Sequence, residues 1–532
     1  VVRARIVILL ALVMALNVPA MADAVDLGAL LSETEGAVTR LDNGIEKARM
    51  LVALARGYAK HGDRLRALHW LNRAVNLALS IPPDWISIDA LLNRDQLLRQ
   101  AVEEQATLGD FAGALRNAKA WSDSDRPRIA TCEEYSDVAK CQAKAGDVAG
   151  AWATCDLIHP RWGRPMALAS VAVTLAESRR FDAALASIDR LDKIPAEDKD
   201  AAEVNQSYRN QSLLMIAREQ ARCGRFQEAL RTADRPHRDS TKIEALEAIA
   251  RIRLELSDQP GAREAVARAV RLFTRLDAAE RKPFGAMATF QAKVGDVPGA
   301  LETASKYLEG GGKGPALLSI SIAQSKLGER AKAAQNFKEG LALAKSRGAD
   351  LLNAALEQAQ GHEFDRAMEM AHFVGRPGLV LQEVAVELAR MGNVGRALQI
   401  ARAIRHEPDK AETLSTLATI QAKAKDPLAR QTFQRAFEAA MADGDEVVAL
   451  KKVGLAQVRA GYPDAAADTF REARRRVIRL KPEEVKLADI ARAQAGGGDP
   501  AGAVAWARSQ SSRLLRAQGL VAVLEGLTEG PE

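Results

Sequence analysis

Chemistry in this chain would have to come from seven histidines, four cysteines and 69 carboxylates, and the spacing of these residues assembles no known site. His61, His69, His159, His237, His362, His372 and His406 are scattered, form no His-Glu-x-x-His pair and join no cysteine cluster, so no metal site is expected. The run Gly310-Gly311-Gly312-Lys313-Gly314-Pro315 lacks the upstream Gly and the Ser or Thr after Lys that a phosphate-cradling loop needs; a flexible connector is expected there. A Gly-x-Ser-x-Gly elbow is absent. Acid and base carboxylates converging from distant elements would make a helical enzyme acting on cell-envelope glycans, and that stands as an alternative reading. The expectation is no enzyme, no cofactor and no metal.

The cysteines bear on compartment. Cys132, Cys141, Cys155 and Cys223 permit disulfides without demanding them. Cys132 and Cys141 fall on one helix about 13 Å apart, too far to bridge, whereas Cys141 and Cys155 flank one turn; buried free thiols are the preferred reading. Residues 1–22 read as an export signal, with Arg3 and Arg5, an apolar run from Ile6 to Leu16, and Ala20-Met21-Ala22 before Asp23. That run is too short to span a bilayer, and nothing later is apolar enough to do so. The mature chain is therefore expected in the periplasm of a bacterium or secreted from it. Removing Arg3 and Arg5 takes the charge from +6 to 73 minus 69, or +4, which argues against a nucleic-acid partner.

The elements that must position any binding residues are written as a repeat. Gln142-Ala-Lys-Ala-Gly-Asp-Val-Ala-Gly-Ala151 returns as Gln291-Ala-Lys-Val-Gly-Asp-Val-Pro-Gly-Ala300 and as Gln105-Ala-Thr-Leu-Gly-Asp-Phe-Ala-Gly-Ala114. Turns are expected at Gly62, Gly109, Gly146, Arg179, Gly224, Ser257, Gly295, Gly328, His362, Gly392, Lys425, Gly461 and Gly498. A glycine there takes the left-handed conformation that stops one helix, and the Asp after it caps the next. Small residues recur seven before the turn (Ala55, Ala139, Ala172) and five after it (Ala67, Ala151, Ala184), where paired helices approach closely. Bulky apolar residues eight before the turn (Leu54, Val138, Val171) complete a core stripe.

Ala55, Tyr58, Ala67, Leu71 and Ala74, and again Gly454, Ala466, Phe470 and Ala473, give the chain a pattern that resembles the tetratricopeptide repeat (TPR). The resemblance covers about residues 42–510, with the family's first-helix Trp and closing Pro mostly absent and the spacing irregular. It implies an all-α, right-handed α-solenoid of about 13 helix-turn-helix repeats. Such a stack needs covered ends, and capping segments are expected at 23–41 and 511–532. Connectors are expected around Ile81 to Asn93 and from Lys193 to Tyr208, the second a loop or a lengthened helix.

Four residues before the turn the family usually carries an aromatic; this chain carries Gln105, Gln142, Gln220, Gln291, Gln324, Gln358, Gln421, Gln457 and Gln494. The expected use is structural, each amide bonding a neighbouring helix end in a ladder through the stack. Two before the turn stand Lys60, Lys144, Arg222, Lys293, Lys326, Arg390, Lys423 and Arg459, interrupted by Glu177 and Glu255. The resemblance places that position near the concave surface, where the cations would form a track for carboxylates. The plain alternative is favourable interaction with the helix dipole. Trp85 and Trp121, close to connectors, are candidates for exposure. The function expected is a non-catalytic scaffold or adaptor holding a protein or extended peptide, with an acidic segment as the natural match. Self-association into a structural envelope component is the further alternative.

Overall fold

The computed structural model describes residues 25–529 except 43, 82–87, 124–130, 160–162, 197, 282–285, 309–311, 347–350, 443–445 and 481–483. The expected export signal, Trp85, Gly310 and Gly311 lie outside the described residues.

The chain enters through α1 (Leu27–Thr39) and then repeats one motif, a helix, a short turn of two to five residues and a second helix. The first units are α2 (Ile45–Lys60) with α3 (Arg64–Ser80), α4 (Ile88–Thr107) with α5 (Phe111–Asp123), and α6 (Thr131–Ala145) with α7 (Val148–Asp156). Then come α8 (Gly163–Glu177) with α9 (Phe181–Leu191), α10 (Lys199–Arg222) with α11 (Phe226–Ala233), and α12 (Asp239–Glu255) with α13 (Gln259–Phe273). After the short α14 (Ala278–Arg281) follow α15 (Met287–Lys293) with α16 (Val297–Lys306), and α17 (Lys313–Lys326) with α18 (Arg330–Ser346). Next are α19 (Leu352–Gln360) with α20 (Phe364–Ala371), and α21 (Pro377–Arg390) with α22 (Val394–Ala403). The stack ends with α23 (Glu407–Lys423) and α24 (Ala429–Met441), α25 (Glu446–Arg459) and α26 (Pro463–Leu480), α27 (Glu484–Gly496) and α28 (Pro500–Arg508), then a lone α29 (Arg513–Glu529). No strand occurs among the described residues.

Every expected turn residue takes positive φ, from 57° at Lys425 to 102° at Gly498. Nine are glycines; Arg179, Ser257, His362 and Lys425 hold the same conformation without being glycine. At each turn the next N–H reaches back to the carbonyl four before it, as Asp147 N to Gln142 O at 2.9 Å and Asp426 N to Gln421 O at 2.9 Å. These bonds satisfy carbonyls that the end of a helix would leave orphaned. The small residues expected beside the turns, such as Ala55, Ala139, Ala172 and Ala184, are at most 1 % exposed, and the helices pair across them.

First helices of successive units pack on one another and form an inner layer; second helices stand behind them. The region from Lys193 to Tyr208 is resolved in favour of a lengthened helix, since α10 starts at Lys199 and runs 24 residues. Part of the other two expected connectors, 81–93 and 310–315, is helical as well: Ile88 opens α4, and Lys313 and Gly314 open α17. Trp121 is 3 % exposed and donates to Asp95 Oδ1 at 3.2 Å, so it is a core residue. Cys141, Cys155 and Cys223 are free thiols. Cys155 is buried, Cys141 is half-buried, and Cys223 is exposed, contrary to the reading of buried thiols, because it caps a helix end at a turn.

The ends depart from a simple capped stack. α29 packs as an inner helix against α27 on one side and against α2, the first inner helix, on the other. α1 covers it from the outer layer, in the place where other units have their second helix. One apolar cluster joins Leu30, Leu31 and Val38 of α1, Leu51 and Leu54 of α2, Val504 and Ala507 of α28, and Leu520 and Leu524 of α29. Gly526 lets the backbones of α27 and α29 meet: a Cβ there would lie 2.3 Å from Arg492 O. Lys60 Nζ donates to Thr528 O, and Arg508 donates to the Glu33 carboxylate at 2.7 and 3.0 Å. The solenoid therefore closes on itself, and the first and last helices of the chain together build one further unit at the seam.

Candidate binding surface

The glutamines four before the turn are all buried, at 5 % exposure or less, and they are structural. Their bonds mostly stay inside one hairpin instead of running as a ladder through the stack. Gln142 Nε2 donates to Asp147 Oδ2 at 3.3 Å, and its Oε1 accepts from Thr154 Oγ1 at 2.7 Å. Asp147 Oδ1 meanwhile accepts from Gly150 N at 2.8 Å and caps the second helix. The pattern returns at Gln105 with Asp110 and Asn117, and at Gln324 with Glu329 and Asn336. Arg253 replaces the glutamine at the Ser257 turn and bonds Asp258 at 3.2 Å. Gln358 alone reaches the preceding unit's main chain, at Leu318 O, 2.9 Å away. Gly150 is required because a Cβ would lie 2.0 Å from Asp147 Oδ2 and 2.6 Å from Gln142 Nε2. The repeated Gln, Asp and Gly are thus one cap, in which the Gln is buried beneath a more exposed Asp.

The eight cations two before the turn are all exposed, in the last turn of their helices or, for Lys144, one residue from its end. Their environments differ. Lys60 holds the seam carbonyl of Thr528. Arg222 pairs with Glu219 at 2.7 Å and Arg390 with Glu387, each within its own helix. Lys293 reaches across to Glu357 at 2.8 Å, and Arg459 is engaged within the chain as well. Lys144, Lys326 and Lys423 make no ion pair among the described residues. The acidic counterpart was readable but unread: aligning the turns puts Glu104, Glu219, Glu357 and Glu387 at the fifth residue before them.

Two of the cations converge. Between Leu254 of α12, Ala292 and Lys293 of α15, Ile322, Ala323 and Lys326 of α17, and Glu357 of α19 lies a groove of about 330 Å³ on the inner layer. Its floor is apolar and its edges are charged. Ser319 Oγ donates to Glu357 Oε2 at 2.7 Å, which fixes the carboxylate so that Oε1 can take Lys293. Lys326 stands on the same wall without such a partner. A surface of this form can seat a short apolar side chain while ammonium groups meet a carboxylate beside it.

Elsewhere the titratable groups are structural. Burial pushes Glu247 of α12 up to about 7, with Arg251 pulling it down and Glu244 adding to the rise. Burial raises the Cys155 thiol to about 12 and lowers Arg474, which donates to Gln494, to about 10. Among the described residues no group of His, Cys, Asp and Glu is placed to hold a metal ion. No described helix is long and apolar enough to cross a membrane.

No family model matches the chain, and no curated protein does. Among solved structures it is similar to yeast Tom70, at 11% identity and a TM-score of 0.24, over 82% of this chain and 96% of that one. It is similar to human IFIT1, crystallised as a dimer with m7Gppp-AAAA, at 14% identity and 0.23, over 87% and 96%. The Cut9–Hcn1 hetero-tetramer of APC/C gives 13% identity and 0.25, over 94% and 98%. Superpositions this loose carry no weight on function. The thirteen turns, the close-packed small residues and the two-layer stacking of the chain itself give it an all-helical, TPR-like repeat fold.

Proposed function

We propose that the chain is a non-catalytic binding scaffold that takes an extended, acidic peptide segment of a partner protein on its inner layer. The groove between α12 and α19 carries this reading, since it sets two ammonium groups from successive units beside an apolar floor. Helical arrays suit the task because neighbour contacts hold a long surface rigid. The eight cations are not equivalent in it: Lys293 and Lys326 contact the peptide, Lys144 and Lys423 add attraction at longer range, and Lys60 belongs to the seam. Export through residues 1–22 accompanies the proposal, and a mature N-terminus at Asp23 in the periplasmic or secreted fraction is the expected result.

The test is selection of ten-residue peptides from a random library on the full chain, followed by titration against variants. Selected peptides are expected to carry Asp or Glu beside a small apolar residue. The pair Lys293→Glu with Lys326→Glu should weaken them at least tenfold at unchanged melting temperature, and Lys144→Glu with Lys423→Glu should weaken them much less. Equal losses from both pairs would reduce the groove to general electrostatics. An empty selection together with concentration-dependent assembly would favour a self-associating structural role.

A further inference from the structure

A cavity of about 370 Å³ lies at the seam and is walled by both ends of the chain. From α2 come Arg49 and Arg56, from α4 Gln96 and Gln100, from α27 Arg492, and from α29 Glu525. Val52 and Leu97 make part of its wall apolar. Three arginines and one glutamate thus line it. Each arginine is held by a carboxylate at its edge: Arg49 by Glu46 at 2.7 Å, Arg56 by Glu104 at 2.5 Å and Arg492 by Glu525 at 2.5 Å. Glu46 and Glu104 do not line this cavity, and Glu46 and Asp489 line a smaller one that shares Arg49, Arg492 and Glu525 with it.

We propose that this cavity binds a small oxyanion, a carboxylate or phosphate group borne on a short ligand. Arginine forks match planar and tetrahedral oxyanions, the two glutamine amides supply further donors, and the volume falls within the range of small-molecule sites. Because the wall is built from both ends, the ligand binds the closed seam and not an open one, so occupancy favours closure by linkage. The site is separate from the groove and does not depend on the peptide reading.

Amide exchange on the full-length chain tests it, with sodium succinate and inorganic phosphate as probes and sodium chloride at the same ionic strength as reference. Exchange in α2, α4, α27 and α29 is expected to slow about tenfold when the probe stands at about nine times its dissociation constant. A response to succinate alone assigns a carboxylate, to phosphate alone a phosphate group, and to both a general oxyanion site. Arg492→Gln should abolish the response. If that variant loosens the seam by itself, the double change Gln96→Leu and Gln100→Leu, which breaks no ion pair, carries the test and should lose most of the protection. Protection no greater than that of chloride, or a full response in both variants, overturns the proposal.

Discussion

In the Gly146 hairpin, Gln142, Asp147, Gly150 and Thr154 close a hydrogen-bonded cap within thirteen residues of chain. At the seam, Arg508 and Glu33 meet across 475 residues, and no turn joins α29 to the α1 helix that covers it. Both places pair an inner helix with an outer one, yet the first is specified locally and the second only after the rest of the array has curved round to bring the ends together. Local units can nucleate anywhere in such an array, while non-local closure follows them and opens at lower cost. The seam is accordingly the part of the molecule most open to control by a ligand.

The sharpest way to break this comparison is Leu524→Ala, which empties a fully buried site in the seam cluster. Loss of a buried leucine costs about 2–5 kcal/mol. Amide exchange should accelerate in α29 and equally in α1, at the opposite end of the chain. Leu175→Ala, equally buried in α8, should accelerate exchange around its own unit and leave the seam unchanged. Unchanged exchange in α1 after Leu524→Ala would mean that the array does not close.

Glu247 offers a titration within the regular part. Its folded value of about 7 lies above the ordinary 4.5, so the folded chain keeps a proton that the unfolded chain releases. Its contribution is fully present below pH 4.5 and is lost as pH rises to about 7, a change of up to roughly 3 kcal/mol. Urea unfolding of Glu247→Gln should show less decline over that range and greater stability than the parent at pH 7.5. An identical pH profile in the two proteins would show that Glu247 is solvated. A smaller effect is expected for Gln142→Ala, which strips a partner from both Asp147 and Thr154, at about 1–3 kcal/mol. Its exchange signature should stay within α6 and α7.

What could be read from the sequence follows the same division. The turn register was legible even at Arg179, Ser257, His362 and Lys425, because spacing fixes the turn where the residue type does not. That the buried glutamines are structural was legible; their acceptors were not, since a helix position gives no side-chain direction across a turn. The track of cations was legible as a series, but what divides it was not: Arg222 and Arg390 are engaged by glutamates of their own helices, Lys293 by Glu357 from two units on, and Lys60 by the far end of the chain. The seam was not legible at all. Leu30, Leu31, Leu520 and Leu524 read as ordinary core positions of two end helices, and no local pattern says that they share one core.

The finest probe separates backbone strain from contacts. Gly392 has φ 85° and open space around its missing Cβ, so Gly392→Ala tests the left-handed conformation alone and should cost about 1 kcal/mol. Lys425, at φ 57°, bears that cost already in an equivalent turn. Lys425→Gly should therefore raise the urea midpoint by the equivalent of about 0.5–1 kcal/mol, somewhat offset by the greater freedom of glycine in the unfolded chain. If Lys425→Gly destabilises instead, the lysine side chain makes a contribution that outweighs the strain, and the turn at Lys425 differs in kind from the glycine turns that it matches in register.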